Sequence, residues 1–147
     1  MTARRPRLDG RVVVDANILF SALLRDGTTR RLLLYGGLDL HTPETIWSEF
    51  ERNRAYLLLK SAATEAAFDL LVDALHDRIA AVPLVIIREQ MARAEESLGK
   101  GNPLDAPYVA AALALGATLW TQDKSLLAKA PVPVVTTAEV IAALGIP

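Results

Sequence analysis

The chain has no cysteine, which excludes disulfides and thiolate metal sites. Histidine occurs only as His41 and His76. Both are assigned structural roles, since His76 lies near a helix end beside Asp77, where a charged imidazole suits the dipole. No serine stands in a Gly-x-Ser-x-Gly elbow. No glycine-rich phosphate loop follows the first predicted strand, so the nucleotide-fold fingerprints are absent. The longest nearly apolar run, Ala106 to Trp120, is broken by Pro107, Gly116 and Thr118 and falls short of the about 18 residues of a spanning helix. No membrane association is expected. The net charge of −1 offers no global attraction for nucleic acid, so any such contact needs a local basic patch.

Apolar residues make up 52% of the 147, enough for one domain around one core and too many for disorder. Residues 1–10 carry Arg4, Arg5 and Arg7 and read as a basic, frayed tail. The tail leads into no apolar signal segment, so the cytosol is the expected compartment. Residues 11–147 read as a single domain.

Val12-Val13-Val14 is a β-branched run of the buried parallel-strand type, and it stops at Asp15. A helix is expected over Ala16 to Arg25. A second, holding Leu32, Leu33 and Leu34, is capped by Thr28 or Thr29 and ended by Gly36-Gly37. A second strand covers Leu38 to His41. Thr42-Pro43-Glu44 reads as the next helix start, with a hydroxyl cap, a first-turn proline and an acid. That helix carries Ile46, Trp47, Phe50, Leu57 and Leu58. Ser61 or Thr64 caps a helix with Phe68, Leu71, Val72 and Leu75 on one face. A third strand, Ile79 to Val82, closes at Pro83, and a helix follows over about Arg88 to Leu98. Gly99 to Pro103 is the most flexible-looking loop. The apolar helix from Asp105 to Leu115 is expected to be the most buried. Thr118 to Thr121 is the fourth strand, and Lys124 to Lys129 makes a short helix. Val132 to Val135 is an edge strand, and Thr137 caps the last helix. Strands alternating with helices predict a three-layer α/β domain with a mostly parallel sheet.

With nucleophile and phosphate-loop motifs missing, the chemistry falls to carboxylates. Asp15 and Asp123 end strands, and ligand crevices of open parallel sheets lie at that edge. Asp105 opens the apolar helix. Glu49 leans toward the core side of its helix, one turn after Ile46. Each has a plainer role open to it. The three aspartates precede helices and can cap them, and Glu49 can be a solvated surface acid. Taken together, four acids at one sheet edge repel one another, and a divalent cation relieves that. Hard oxygen ligands favour Mg²⁺ or Mn²⁺.

The stretches Val13-Val14-Asp15-Ala16-Asn17, Pro43-Glu44-Thr45-Ile46-Trp47-Ser48-Glu49, Asp105-Ala106-Pro107-Tyr108-Val109 and Leu119-Trp120-Thr121-Gln122-Asp123 together resemble the PIN-domain nucleases, over about Arg11 to Leu144. The resemblance implies an α/β/α PIN fold with four to five strands, and metal-dependent cleavage of single-stranded or structured RNA by in-line attack of water. It implies that Asp15, Glu49, Asp105 and Asp123 form the catalytic, metal-binding site, with Asn17 and Thr121 supporting it. Similar sequences often carry a further acid where Asn102 stands here. Many such nucleases are toxins paired with an antitoxin protein.

Arg25, Arg30, Arg31, Arg52 and Arg54 are candidates for phosphate contact, against the alternative of solvated helix faces. Leu32-Leu33-Leu34-Tyr35 is either a homodimer face or core. Two rival functions stand beside the nuclease. Asp15-Ala16-Asn17 is faintly similar to the start of aspartate-based phosphatases and phosphotransferases, although Asn17 cannot serve as their second acid. The other rival is a non-catalytic RNA-binding module on the same fold, against which the four intact carboxylates argue.

Overall fold

A computed structural model of the chain describes residues 8–99, 101 and 103–146. Arg4, Arg5 and Arg7 of the basic tail lie outside the described residues, as do Lys100 and Asn102 of the glycine-rich loop. The strands are β1 (Arg11–Val14), β2 (Asp39–Pro43), β3 (Ile79–Val82), β4 (Thr118–Trp120) and β5 (Val134–Val135). The helices are α1 (Ala16–Leu24), α2 (Thr28–Tyr35), α3 (Ile46–Ser61), α4 (Glu65–Arg78), α5 (Leu84–Leu98), α6 (Ala106–Leu115), α7 (Lys124–Lys129) and α8 (Thr137–Ala143). All strand pairs are parallel, in the order β3-β2-β1-β4-β5. The result is a three-layer α/β/α arrangement, as the alternation of elements predicts. No helix among the described residues is long and apolar enough to cross a membrane.

The order follows from burial. β1 is central and pairs on both edges, with β2 and with β4. Val12, Val13 and Val14 are fully buried, as a β-branched run inside a two-sided sheet must be. On one side α6 crosses β1, β2 and β4, with α5 packed along it. The close fit needs small side chains, and Ala110, Ala111 and Ala112 of α6 are all fully buried. Helices α1 to α4 pack against one another. There Phe68 and Leu75 fill the core, while Leu71 and Val72 are half-buried against it. Leu32 and Leu33 are core as well, whereas Tyr35 is exposed.

Four local expectations are corrected. Thr42 and Pro43 do not start a helix. They extend β2, where Thr42 pairs with Ala81 and Pro43 with Val82. The buried Thr42 hydroxyl donates to the Val14 carbonyl at 3.0 Å, so the hydroxyl ties two strands together. Helix α3 begins after Thr45, and Glu44 instead accepts the Leu84 amide at 2.9 Å, at the start of α5. Helix α5 starts at Leu84, four residues before the expected Arg88. Its Val85-Ile86-Ile87 run has strand character, but packing against α6 overrides that propensity. Gly27, not a threonine, precedes α2, and no side chain caps it. Thr136, not Thr137, caps α8 through a reciprocal capping box with Glu139. Thr137 is displaced to another task and accepts the Trp120 indole N–H at 3.0 Å. Of the two caps offered for α4, Thr64 is the one used.

The Thr42 bond is testable, since Val has the same shape without the hydroxyl. Thr42→Val is expected to cost about 1 kcal/mol, the usual net value of a buried hydrogen bond. A urea midpoint that falls with an unchanged slope is the expected result. An unmoved midpoint would show that the bond contributes nothing.

Candidate active site

The chain leaves β1 in one direction, to β2 and β3, then returns past β1 to β4 and β5. The carboxyl ends of β1 and β4 therefore flank the point where strand order reverses, the usual crevice of an open parallel sheet. Val14 pairs with Trp120, so the next residue on each strand, Asp15 and Thr121, emerges side by side. The Asp15 amide donates to the Trp120 carbonyl at 3.1 Å, and the buried Thr121 hydroxyl donates to Asp15 Oδ2. The same hydroxyl oxygen accepts the Asp123 amide at 3.0 Å. Thr121 thus fixes both strand-end aspartates.

The capping alternative separates the acids. Asp123 does cap: its Oδ1 accepts the amides of Ser125 and Leu126 at 2.8 and 3.3 Å. Asp15 and Asp105 occupy the residues before α1 and α6, yet neither makes a capping hydrogen bond. Asp105 even has helical backbone angles, φ −86° and ψ −23°, where capping residues are usually extended. Asp105 therefore lacks the structural job that the sequence offered it, and Asp15 meets the first amides of α1, those of Ala16 and Asn17, without a capping hydrogen bond.

Glu49, half-buried in the first turn of α3, receives the Tyr108 hydroxyl at 3.1 Å. Tyr108 is 2% exposed on α6, so this bond joins the helix layers on either side of the sheet. Sequence reasoning missed it. The available signal was a lone aromatic with a polar tip, one turn after Asp105 on a helix of alanines, valine and leucines. Asn17, offered as a supporting residue, has an exposed side chain with no hydrogen bond among the described residues.

The electrostatics show four acids in one field. Burial raises the Asp15 pKa, against the Thr121 hydroxyl and the amide dipoles of Asn17 and Ala16, and Asp123 raises it further. Burial raises that of Glu49 too, against the Tyr108 bond and the Arg52 charge, with Asp15 adding repulsion. Asp105 is pushed up to about 6 by burial and then by the charges of Asp123, Asp15 and Glu49. The Tyr108 hydroxyl is held protonated by burial and by the Glu49 charge, so it stays a donor.

This donor set suits a hard divalent cation. Every group is a carboxylate, only Asp123 of the four caps a helix, and their mutual repulsion is what a bound cation would relieve. Among the described residues no three acidic or histidine side chains already stand as a ligand group. The two histidines have partners elsewhere: His41 pairs with Asp39 and His76 stacks on Trp47. Two of the five arginines are already engaged. Arg30 donates to the carbonyls of Ala22 and Leu23 at the end of α1, and Arg54 pairs with Glu65 and Asp69.

The chain is thus an all-parallel α/β/α domain with carboxylates at its topological switch point. The PIN domain family model matches residues 13–145, and the chain belongs to that family. No curated protein matches it. PIN domains are generally nucleases and typically use divalent metals, which agrees with the donor chemistry of this site.

Two outcomes follow from the site. An acid whose folded pKa lies above its unfolded value binds its proton more tightly when folded, so ionising it weakens the fold. For Asp105 that penalty is absent below the unfolded pKa, near 3.8, and complete above about 6. In chelator, Asp105→Asn should melt higher than wild type at pH 7, and the difference should shrink as pH falls toward 4. A difference constant across that range would refute the raised Asp105 pKa. Tyr108→Phe removes a donor to the ionised form of Glu49, so Glu49 should titrate at higher pH. Carboxyl NMR titration reads this directly, and an unshifted Glu49 would mean the bond is not made in solution.

Proposed function

We propose that the protein is a Mg²⁺- or Mn²⁺-dependent endoribonuclease that hydrolyses phosphodiester bonds of single-stranded RNA in the cytosol. The observation that supports this reading is the Thr121 hydroxyl, which joins Asp15 and Asp123 at the β1/β4 switch point, with Asp105 and Glu49 near enough to feel the Asp15 charge.

In this reading Asp15, Asp105 and Asp123 hold the metal, which when bound supplies Lewis acidity for the phosphodiester and its leaving oxygen. Hydrolysis also needs a water that loses its proton while attacking phosphorus in line. Glu49 is the residue assigned to orient that water and accept the proton. Its raised pKa moves it toward the working range of a general base, and Tyr108 keeps one carboxylate oxygen fixed. Thr121 holds Asp15 in place through its hydroxyl. The phosphatase alternative gains nothing, because Asn17 supplies no acid and its side chain makes no hydrogen bond among the described residues. The toxin role, with its antitoxin partner, rests on the family resemblance alone.

The test incubates the protein with mixed-sequence single-stranded RNA and Mn²⁺ or Mg²⁺, with and without chelator. Cleavage is expected only with free metal. Glu49→Gln should lose at least ~10-fold in rate, a barrier change of about 1.4 kcal/mol, with its melting curve confirming that it folds. Cleavage that continues in excess chelator overturns the metal mechanism, and a near-wild-type rate for Glu49→Gln removes Glu49 from the chemistry.

A further inference from the structure

A shallow groove of about 450 Å³ runs between α1 and α3. Asn17, two residues past Asp15, lines it together with Phe20, Ser21 and Arg25 of the α1 side. Tyr56 and the buried Leu57 line it from α3. Its chemistry is mixed in a specific way. Tyr56 leaves 58% of its surface exposed, although a tyrosine with apolar neighbours would ordinarily bury its ring. Lys60 Nζ lies 5.7 Å from the centre of that ring, within cation–π range. Arg25 is exposed and forms no ion pair among the described residues.

The groove is also continuous with the acids. Glu49, Arg52, Tyr56 and Lys60 follow one another at spacings of three, four and four, so they form one stripe along α3. From Glu49 to Lys60 the stripe runs roughly 16 Å at 1.5 Å per residue. It begins at the carboxylate assigned to the water and passes a cation, an open aromatic face and a second cation. Arg52 is already close enough to lower the Glu49 pKa. An aromatic platform between cations, leading away from a phosphodiester-cleaving centre, matches the chemistry by which proteins hold single strands without reading their sequence.

We propose that the α1/α3 groove is the substrate track, seating the nucleotides of single-stranded RNA that flank the scissile bond. A base stacks on Tyr56, and Arg25 takes a backbone phosphate. This rests on the nuclease reading for its choice of occupant. Arg30 and Arg54, engaged elsewhere, play no part in the track.

The experiment measures the affinity of a fluorescein-labelled, mixed-sequence 12-nucleotide RNA by anisotropy, in chelator, so that binding is read without cleavage. Tyr56→Ala is expected to weaken binding about 5- to 150-fold, the range given by loss of one base–aromatic stack, while Tyr56→Phe stays near wild type. Arg25→Gln should lower the slope of log affinity against log salt by about 0.7. Both positions are exposed, so the variants should fold, which melting curves check. If Tyr56→Ala binds the RNA as wild type does, or if wild type does not bind it, the track is refuted. If Tyr56→Ala instead changes the sedimentation of the protein and leaves RNA affinity intact, the groove belongs to a second copy and the proposal is refuted equally. Failure of the nuclease reading looks different: RNA binding that depends on Tyr56, with no cleavage in Mn²⁺ or Mg²⁺, leaves the track standing and removes the hydrolysis.

Discussion

The pairing of Val14 with Trp120 is the constraint on which the rest depends. It places β1 between two parallel neighbours and sets the register of the sheet at its centre. A shift of one residue would turn every side chain of a strand to the opposite face, and the fully buried valines leave no such freedom. The same register makes Asp15 and Thr121 neighbours, so the geometry of the acids is inherited from core packing. A site built this way needs no mobile loop to assemble its first two members. Glu49 and Asp105 arrive by a different route, on helices of opposite layers, and the Tyr108 hydroxyl ties one of those helices to the other.

Concentrating acids at that edge opposes stability. Asp15 is buried at 3% exposure with a raised pKa, eased by one hydroxyl and the amide dipoles at the start of α1. Folding proceeds because the apolar core around it is large and continuous, from the β1 valines through α6 to Trp120. Strain of this kind at a functional centre, offset by packing elsewhere, is a common trade between stability and activity.

The sheet centre and its acids were legible in the sequence because their signals are local. A β-branched run ending in Asp15, and Leu119-Trp120 running on to Asp123, name two strands and the carboxylates that follow them at once. The edges were not legible, because long-range pairing decides them. Thr42-Pro43-Glu44 has every local mark of a helix start, yet Val82 pairs with Pro43 and the Val14 carbonyl takes the Thr42 hydroxyl. Val85-Ile86-Ile87 has strand propensity, and only the presence of α6 beside it makes it helical. Tyr108 was invisible for a similar reason: its partner lies 59 residues away. Caps were legible at Thr64 and Asp123 but missed by one residue at α8, where Thr136 caps and Thr137 bonds Trp120 instead.

Asp123 has two oxygens with different obligations. Oδ1 is committed to the first amides of α7, and the other oxygen makes no hydrogen bond among the described residues. Anything that engages the second oxygen also steadies the start of α7. From there the effect reaches β5, which α7 touches, and then α8, which packs on β5. In the proposed reading, occupancy of the site would shift the opening equilibrium of the segment from α7 to α8. Amide hydrogens far from any ligand would exchange more slowly once one is bound, because local opening there and binding at the sheet edge draw on the same carboxylate.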